Sequence, residues 1–178
     1  MTDLAAVIVT WNVRQLALEA VRSLIQDVEM YGPQTAIHVV DCASQDGTVE
    51  AIASAFPQFQ VTASPESLGF GRANNLGIRL AGLDGPKAPQ AVYLLNPDTI
   101  TQPRATRTLY DTLLSRPQAG LVGARLSYGD GSFQHAAFRF PGLRQLWVEF
   151  FPTPGRLIEG SFNGRYPRRD YESGIPFE

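Results

Sequence analysis

The chain alternates short apolar runs with longer segments in which apolar residues recur every three or four positions. A short, continuous apolar run bounded by turn-forming residues is typical of a strand that is buried on both faces. Runs of this kind predict strands over residues 4–10, 36–41, 59–64, 91–96 and 120–126.

The segments between these strands have the periodicity of helices. The first helix has one apolar face, formed by Ala17, Ala20, Val21, Leu24, Ile25 and Val28. Their i, i+3, i+4 spacing is that of a helix packed on a core. Asn12 is predicted to cap this helix, with Gln15 three residues on to complete a capping box. Later helices are predicted to begin near residues 46–47, after Gly71, and at Pro103.

Strands that alternate with amphipathic helices predict parallel βαβ units, in which helices cover both faces of the sheet. The fold class is therefore α/β, a three-layer α/β/α sandwich with a mostly parallel central sheet. Residues 1–128 are predicted to form this core. From Gly129 onward, aromatic residues, arginines and prolines mix without a clean period, so residues 129–178 are predicted to be a loop-rich, irregular extension.

Several strands deliver polar residues to the edge where such sheets bind ligands, beyond the carboxyl ends of the strands. Thr10 ends the first strand and is followed by Trp11 and Asn12, Asp41 ends the second, and Asp98 comes just after the fourth. An aspartate at a strand end binds a ligand or caps the following loop through its backbone amides. From the residues alone both interpretations stay open.

Composition and charge exclude some classes of function. Hydrophobic residues make up 44% of the chain and charged residues 18%, which supports a packed core. The net charge is -2 without a basic run, so nucleic acid is not an expected partner. The single cysteine, Cys42, makes no internal disulfide and fits a reducing compartment. We expect a cytoplasmic protein, and peripheral contact with the inner face of the membrane stays open.

Four stretches stand in a fixed order along the chain: "VIVTWN", "VVDCASQDGT", "SLGFGRANNLGI" and "YLLNPDT". Together they resemble the family 2 glycosyltransferases, most closely the bacterial rhamnosyltransferase-type members. Residues 123–143, "GARLSYGDGSFQHAAFRFPGL", resemble the segment that follows in those enzymes. The resemblance implies a Rossmann-like GT-A fold, a nucleotide-sugar donor bound over the sheet, and transfer with inversion at the sugar.

The resemblance also implies roles for individual residues. Asp41 would bind the base or ribose of the nucleotide, and Asp98 would ligate the Mg²⁺ or Mn²⁺ that bridges the diphosphate. The implied donor-binding set is Thr10, Trp11, Asn12, Asp41, Arg72, Asn75, Asn96 and Asp98. The metal motif of the family usually has two acids, and here Asn96 takes the first position. Because it adds no charge, we expect a modest metal affinity.

The implied function is transfer of a sugar from a UDP-, dTDP- or GDP-linked donor to a saccharide or lipid-linked acceptor, in cell-surface polysaccharide synthesis. In the family, a carboxylate of the second half deprotonates the acceptor. We therefore expect the catalytic base beyond Glu178, and interpret residues 129–178 as the start of the acceptor side of a truncated chain. Such a chain would bind donor and transfer sugar weakly or not at all.

Two alternatives stay open. The first is a non-catalytic module that binds a nucleotide-sugar and lacks the base. The second is a nucleotidyltransferase, which would need a glycine-rich, basic phosphate loop after the first strand. The chain has "TWNVRQL" at that place, so this alternative ranks last.

Overall fold

The computed structural model describes residues 2–151 and 163–173. The chain divides into two compact units, Met1–Gly120 and Leu121–Glu178. The first unit ends before the change of composition at Gly129, and the division predicted after residue 128 stays a prediction.

The first unit is a parallel sheet of four strands in the order β3-β2-β1-β4, covered by helices. Its strands are β1 (Leu4–Thr10), β2 (Thr35–Cys42), β3 (Gln60–Ser64) and β4 (Ala91–Leu95). Its helices are α1 (Arg14–Tyr31), α2 (Thr48–Ala55), α3 (Gly69–Leu80) and α4 (Ala105–Leu114). The predicted α/β fold with a parallel central sheet is confirmed.

Successive residues of a strand point to opposite faces of the sheet, and β2 shows how this builds the layers. Val39 packs in one apolar cluster with Leu24 of α1 and Ile52 of α2. The next residue, Val40, packs in a second cluster with Ala73 of α3. The sheet therefore has a helical layer on each face, which confirms the three-layer prediction.

The order of the strands places a topological switch point at β1. The chain passes from β1 to β2 and β3 on one side, and β4 then pairs with β1 on its other side. In open α/β sheets, connections that diverge in this way leave a crevice beyond the carboxyl ends of the strands, where ligands bind. The residues that follow β1 and β4 lie at this opening.

The capping box predicted at Asn12 is wrong. Helix α1 begins at Arg14, and Val13 occupies the N-cap position without a side-chain hydrogen bond. The Asn12 side chain instead accepts a hydrogen bond from the backbone N–H of Gln45, at 2.7 Å, in the loop after β2. A tertiary contact has taken the place of the local one, because the two loops lie side by side at the sheet edge.

The strand predicted over residues 120–126 is also wrong. Regular structure there is limited to β5 (Leu126–Ser127), which pairs antiparallel with β6 (Phe133–Gln134). Glycines at 120 and 123 interrupt the apolar run, and glycine weakens the interior of a strand. By contrast, the helix predicted to begin after Gly71 begins earlier, at Gly69.

Within residues 121–151 and 163–173, the second unit has the β5–β6 hairpin and the short helices α5 (Leu143–Phe150) and α6 (Arg168–Glu172). Both helices lie in the segment that was predicted to be irregular. The Tyr171 ring packs edge-on against Phe133, with centroids 4.9 Å apart, and its hydroxyl accepts a hydrogen bond from Ala137 N at 2.9 Å. Among the described residues, no helix combines the length and the apolar composition needed to cross a bilayer.

Candidate functional site

A buried carboxylate joins the carboxyl ends of β1 and β2. Thr10 and Asp41 are paired across the two strands, and Asp41 is 1% exposed. Thr10 Oγ1 donates to Asp41 Oδ2 at 2.8 Å, and Ser44 donates from Oγ to Oδ2 at 2.5 Å and from N to Oδ1 at 2.8 Å. A carboxylate has about four lone-pair positions. One position, on Oδ1, therefore has no donor among the described residues.

Asn12 links the loop after β1 to the loop after β2. Its N–H donates to Ser44 Oγ at 2.8 Å, and its Oδ1 accepts from Gln45 N at 2.7 Å. Asn12 (φ 50°) and Ala43 (φ 61°) both occupy the left-handed region that disfavours residues with a Cβ. Such conformations persist where the surroundings impose them. Trp11 lies beside this cross-linked edge with its side chain 61% exposed.

Asp46 lies at the start of two helices. Its Oδ2 accepts a hydrogen bond from the N–H of Arg14, the first residue of α1, at 3.0 Å. Its Oδ1 accepts from Thr48 N at 3.1 Å and from Thr48 Oγ1 at 2.5 Å, at the start of α2. These hydrogen bonds, first of all that from the Thr48 hydroxyl, lower the pKa of Asp46 below its usual value. The carboxylate therefore fixes the two helices that frame the Asp41 loop.

Asn96 and Asp98 follow β4, on the opposite side of β1 from Asp41. Leu95, the last residue of β4, is paired with Ile8 of β1. Because β2 and β4 flank β1, their carboxyl ends are separated by roughly 10 Å, twice the usual spacing between strands. Thr99 donates to the Asn96 carbonyl from its N–H, at 3.3 Å, and from its hydroxyl. Asp98 therefore lies in a tight turn at the switch point.

The chemistry of this turn fits a divalent cation that is shared with a diphosphate. Asn96 and Asp98 are exposed, and the Asp98 carboxylate has no hydrogen-bond or ion-pair partner within residues 2–151 and 163–173. In that same part of the chain, no group of three His, Cys, Asp or Glu side chains is placed to hold a metal ion. Mg²⁺ in particular is often held by one or two carboxylates together with substrate phosphates and waters.

The other two predicted donor contacts, Arg72 and Asn75, are exposed on α3. The Arg72 Nε donates to the carbonyl of Leu68 at 2.8 Å, which holds the guanidinium group against the first turn of its own helix. Within the described residues, neither side chain hydrogen-bonds to Thr10 or Asp41. Their contact with a donor stays a prediction.

Two groups of residues were missed from the sequence, one at this edge and one on α1. Ser44 and Gln45 complete the Asp41 turn, and their position in a small polar run directly after a buried strand was an available signal. Asp27 was also missed. It is only 3% exposed, and it stands between apolar positions of α1, where an acid that interrupts an apolar face indicates a buried polar partner.

The family of the chain follows from comparison with known proteins. A sequence model described as Glycosyl transferase family 2 matches residues 5–165, which is most of the chain. The chain belongs to glycosyl transferase family 2. The resemblance carried by the quoted stretches is thereby confirmed, and the match includes Thr10, Asp41 and Asp98.

A named relative agrees with the rhamnosyltransferase-type resemblance. The N-acetylglucosaminyl-diphospho-decaprenol L-rhamnosyltransferase of Mycobacterium tuberculosis, found in two strains, is 31% identical over 110 residues. The match covers 59% of this chain and 36% of the relative. The chain thus spans little more than a third of the relative's length.

Solved structures agree with the GT-A fold. Mannosyltransferase PcManGT from Pyrobaculum calidifontis, solved with GDP-Man and Mn2+, superposes with a TM-score of 0.52 at 23% identity, over 66% of this chain and 34% of that one. S. aureus TarS 1-349 in complex with UDP-GlcNAc superposes with a TM-score of 0.51 at 16% identity, over 64% of this chain and 32% of that one. At these identities the likeness concerns the fold alone.

Proposed function

We propose that the first unit binds a nucleoside-diphosphate sugar at the carboxyl edge of its sheet, as the donor side of an inverting glycosyltransferase. The acceptor is a saccharide or a lipid-linked saccharide, and the setting is the synthesis of cell-surface polysaccharide. One observation carries the proposal. Among the described residues, the buried Asp41 carboxylate has one acceptor position without a donor, and the exposed Asp98 carboxylate, on the other side of β1, has no partner.

The two carboxylates would bind different parts of the donor, Asp41 the base and Asp98 the diphosphate. The position left on Asp41 Oδ1 suits an N–H group of the base. The Ser44 backbone N–H donates to that oxygen, and the hydroxyls of Thr10 and Ser44 hold the other oxygen, Oδ2. Exposed Asp98 faces the diphosphate end of the donor. Negative charge must be neutralised there, because the diphosphate is the leaving group. A bound Mg²⁺ or Mn²⁺ supplies Lewis-acid stabilisation of that leaving diphosphate. Asp98 and the side-chain oxygen of Asn96 are the residues that would hold it.

The relatives support the same class of ligand. The Mycobacterium tuberculosis enzyme is named as an L-rhamnosyltransferase of N-acetylglucosaminyl-diphospho-decaprenol. The Pyrobaculum enzyme is solved with GDP-Man and Mn2+, and TarS with UDP-GlcNAc. We carry over a nucleotide-linked sugar, which both solved structures hold, and a divalent cation, which the Pyrobaculum structure holds. The nucleobase is left to experiment.

A non-catalytic donor-binding module is the second candidate, and among the described residues both acids of α6 lie beside arginines. The Glu172 carboxylate forms an ion pair with Arg168 at 2.6 Å, and Asp170 lies 3.7 Å from Arg169. A general base must be free to accept the proton of the acceptor hydroxyl. A transfer assay with saccharide acceptors separates the candidates, since only the enzyme consumes donor in proportion to acceptor.

Donor binding is expected to stabilise the chain. A nucleoside diphosphate at 100 times its dissociation constant, with Mn²⁺ present, should raise the free energy of unfolding by about 2.7 kcal/mol. The melting temperature should then rise by several degrees. UDP, dTDP and GDP are each tested by thermal shift, with EDTA as the control for the metal. No shift with any of the three at millimolar concentration would reject the donor site.

The substitution Asp41→Asn separates base recognition from capping of the loop. Loss of the charge should weaken nucleoside binding about tenfold, because hydrogen bonds to charged acceptors are stronger than neutral ones. The melting temperature should change little, since an amide oxygen still accepts from Ser44 N and the two hydroxyls can rotate to accept from the new NH₂ group. Affinity is measured by calorimetry. An unchanged affinity with a clear loss of stability would assign Asp41 to the loop alone.

A further inference from the structure

A row of α1 side chains holds the segment that carries Asp98. Ser23, Asp27 and Tyr31 recur every four residues along the helix and therefore share one side of it. Each contacts residues 101–106, in the stretch between β4 and α4. We call residues 96–106 the β4–α4 segment.

The contacts are backbone hydrogen bonds with buried or half-buried acceptors. Thr101 N donates to Ser23 Oγ at 3.0 Å. Arg104 N and Thr106 N donate to the two oxygens of Asp27, at 2.5 Å and 2.9 Å. The Arg104 guanidinium carbon lies 5.2 Å from the centroid of the Tyr31 ring. Both oxygens of the Asp27 carboxylate are therefore occupied by the start of α4.

Helix α4 needs this acceptor because it has no cap of its own. Arg104 occupies its N-cap position with φ 68° and makes no side-chain capping hydrogen bond. The N–H groups of the first helical turn have no partner within the helix. Asp27 supplies the cap from a different helix, and Arg104 is held in a backbone conformation that residues with a Cβ rarely adopt.

Asp98 lies between two fixed points of this segment. Leu95 is held by the pairing of β4 with β1, and Thr101 is held by Ser23. Within the short stretch between them, the hydrogen bonds from Thr99 to the Asn96 carbonyl close a turn around Asp98. The place of the Asp98 carboxylate at the sheet edge therefore depends on how firmly α1 holds the far end of the segment.

We propose that Asp27, assisted by Ser23, is a positioning residue for the diphosphate end of the donor. It acts through the β4–α4 segment and holds Asp98 at the switch point without touching the ligand. This inference rests on the proposed function, and its test includes a measurement that does not depend on ligand.

The substitution Asp27→Asn tests the proposal. One of the two acceptor oxygens becomes an NH₂ group that faces a backbone N–H, which should loosen the segment. We expect the affinity for UDP, dTDP or GDP in Mn²⁺ to fall about tenfold, the scale seen when a metal ligand loses its support. Affinity for the metal-free nucleoside should stay within about twofold, because the Asp41 turn is untouched. Ser23→Ala, a milder change, should lower the diphosphate affinity by less and leave the nucleoside affinity unchanged.

A double-mutant cycle with Asp98→Ala separates positioning from general stability. If Asp27 acts through Asp98, then Asp27→Asn has no further effect on diphosphate affinity once Asp98 is alanine. The matched control is Ile37→Val, a core change in the half of β2 that is farther from the carboxyl ends. It should lower the melting temperature and leave both affinities unchanged. Additive losses in the cycle, or equal losses for both ligands, would overturn the proposal.

Amide hydrogen exchange on the ligand-free protein supplies the independent measurement. Asp27→Asn should speed exchange in residues 98–106 and leave residues 41–48 unchanged. If the wild-type chain binds none of the three diphosphates, the proposed function fails, and exchange alone decides whether Asp27 orders the segment. Unchanged exchange at residues 98–101 would then overturn the positioning role.

Discussion

Replacing Asp98 with alanine is expected to weaken nucleoside-diphosphate binding in Mn²⁺ by at least about tenfold. Asp98 is the exposed carboxylate in the turn after β4, and its oxygens have no partner among the residues that the structure describes. Asn96, in the same turn, carries no charge, so the substitution removes the anionic ligand of the turn. Binding of the metal-free nucleoside should be unchanged. Both affinities are measured by calorimetry, with and without the metal.

Two further variants serve as comparisons for Asp98→Ala. Asp84→Ala removes another exposed acid, from the loop before β4 at the opposite edge of the sheet, and should change neither affinity. Asn96→Asp adds a second acid at the turn and should tighten diphosphate binding in Mn²⁺. Equal losses with and without metal in Asp98→Ala would show that Asp98 supports the loop and does not face the diphosphate.

Replacing Gly77 with alanine is expected to lower the free energy of unfolding by about 1–3 kcal/mol, the usual cost of overpacking a core. A Cβ at Gly77 would lie 2.3 Å from Cγ1 of Val7, and 3.2 Å from its Cγ2. Val7 is fully buried in β1, and its branched side chain has little rotational freedom. Helix α3 would have to move away from the sheet. Chemical denaturation measures the loss.

Gly71→Ala is the matched control on the same helix. A Cβ at Gly71 has nothing within 4 Å, so the change should stabilise the chain by up to about 1 kcal/mol through helix propensity. A Gly77→Ala variant as stable as Gly71→Ala would mean that α3 does not approach β1 as closely as the structure shows.

The elements with a strong period could be predicted from sequence. The apolar run of β1 and the spacing of apolar residues on α1 define those elements, because burial of the sheet on both faces leaves few polar positions in them. The signals are weaker where glycine and aromatic residues mix. The strand expected over residues 120–126 is reduced to Leu126–Ser127, and α5 and α6 were missed because short helices in aromatic-rich sequence have little periodicity.

Some residues of the candidate site could be predicted from sequence and others could not. Asp41 and Asp98 were identified by their place after buried strands and by family motifs, both of which lie within short stretches of sequence. Ser23 and Asp27 hold backbone groups more than seventy residues away along the chain. No local pattern identifies the partner in such a contact, because the partner is a backbone N–H, which every residue except proline carries.

The sequence by itself therefore determined the alternation of strands and helices, the family, and the residues delivered to the ends of the strands. Those features depend on local periodicity and on short motifs. Only the tertiary structure decided that Asn12 bonds to the β2 loop instead of capping α1, and that Asp27 caps α4. It also decided that Gly77 is the point where α3 meets β1. The physical reason is that a polar or small side chain takes whichever partner the packed layers bring to it.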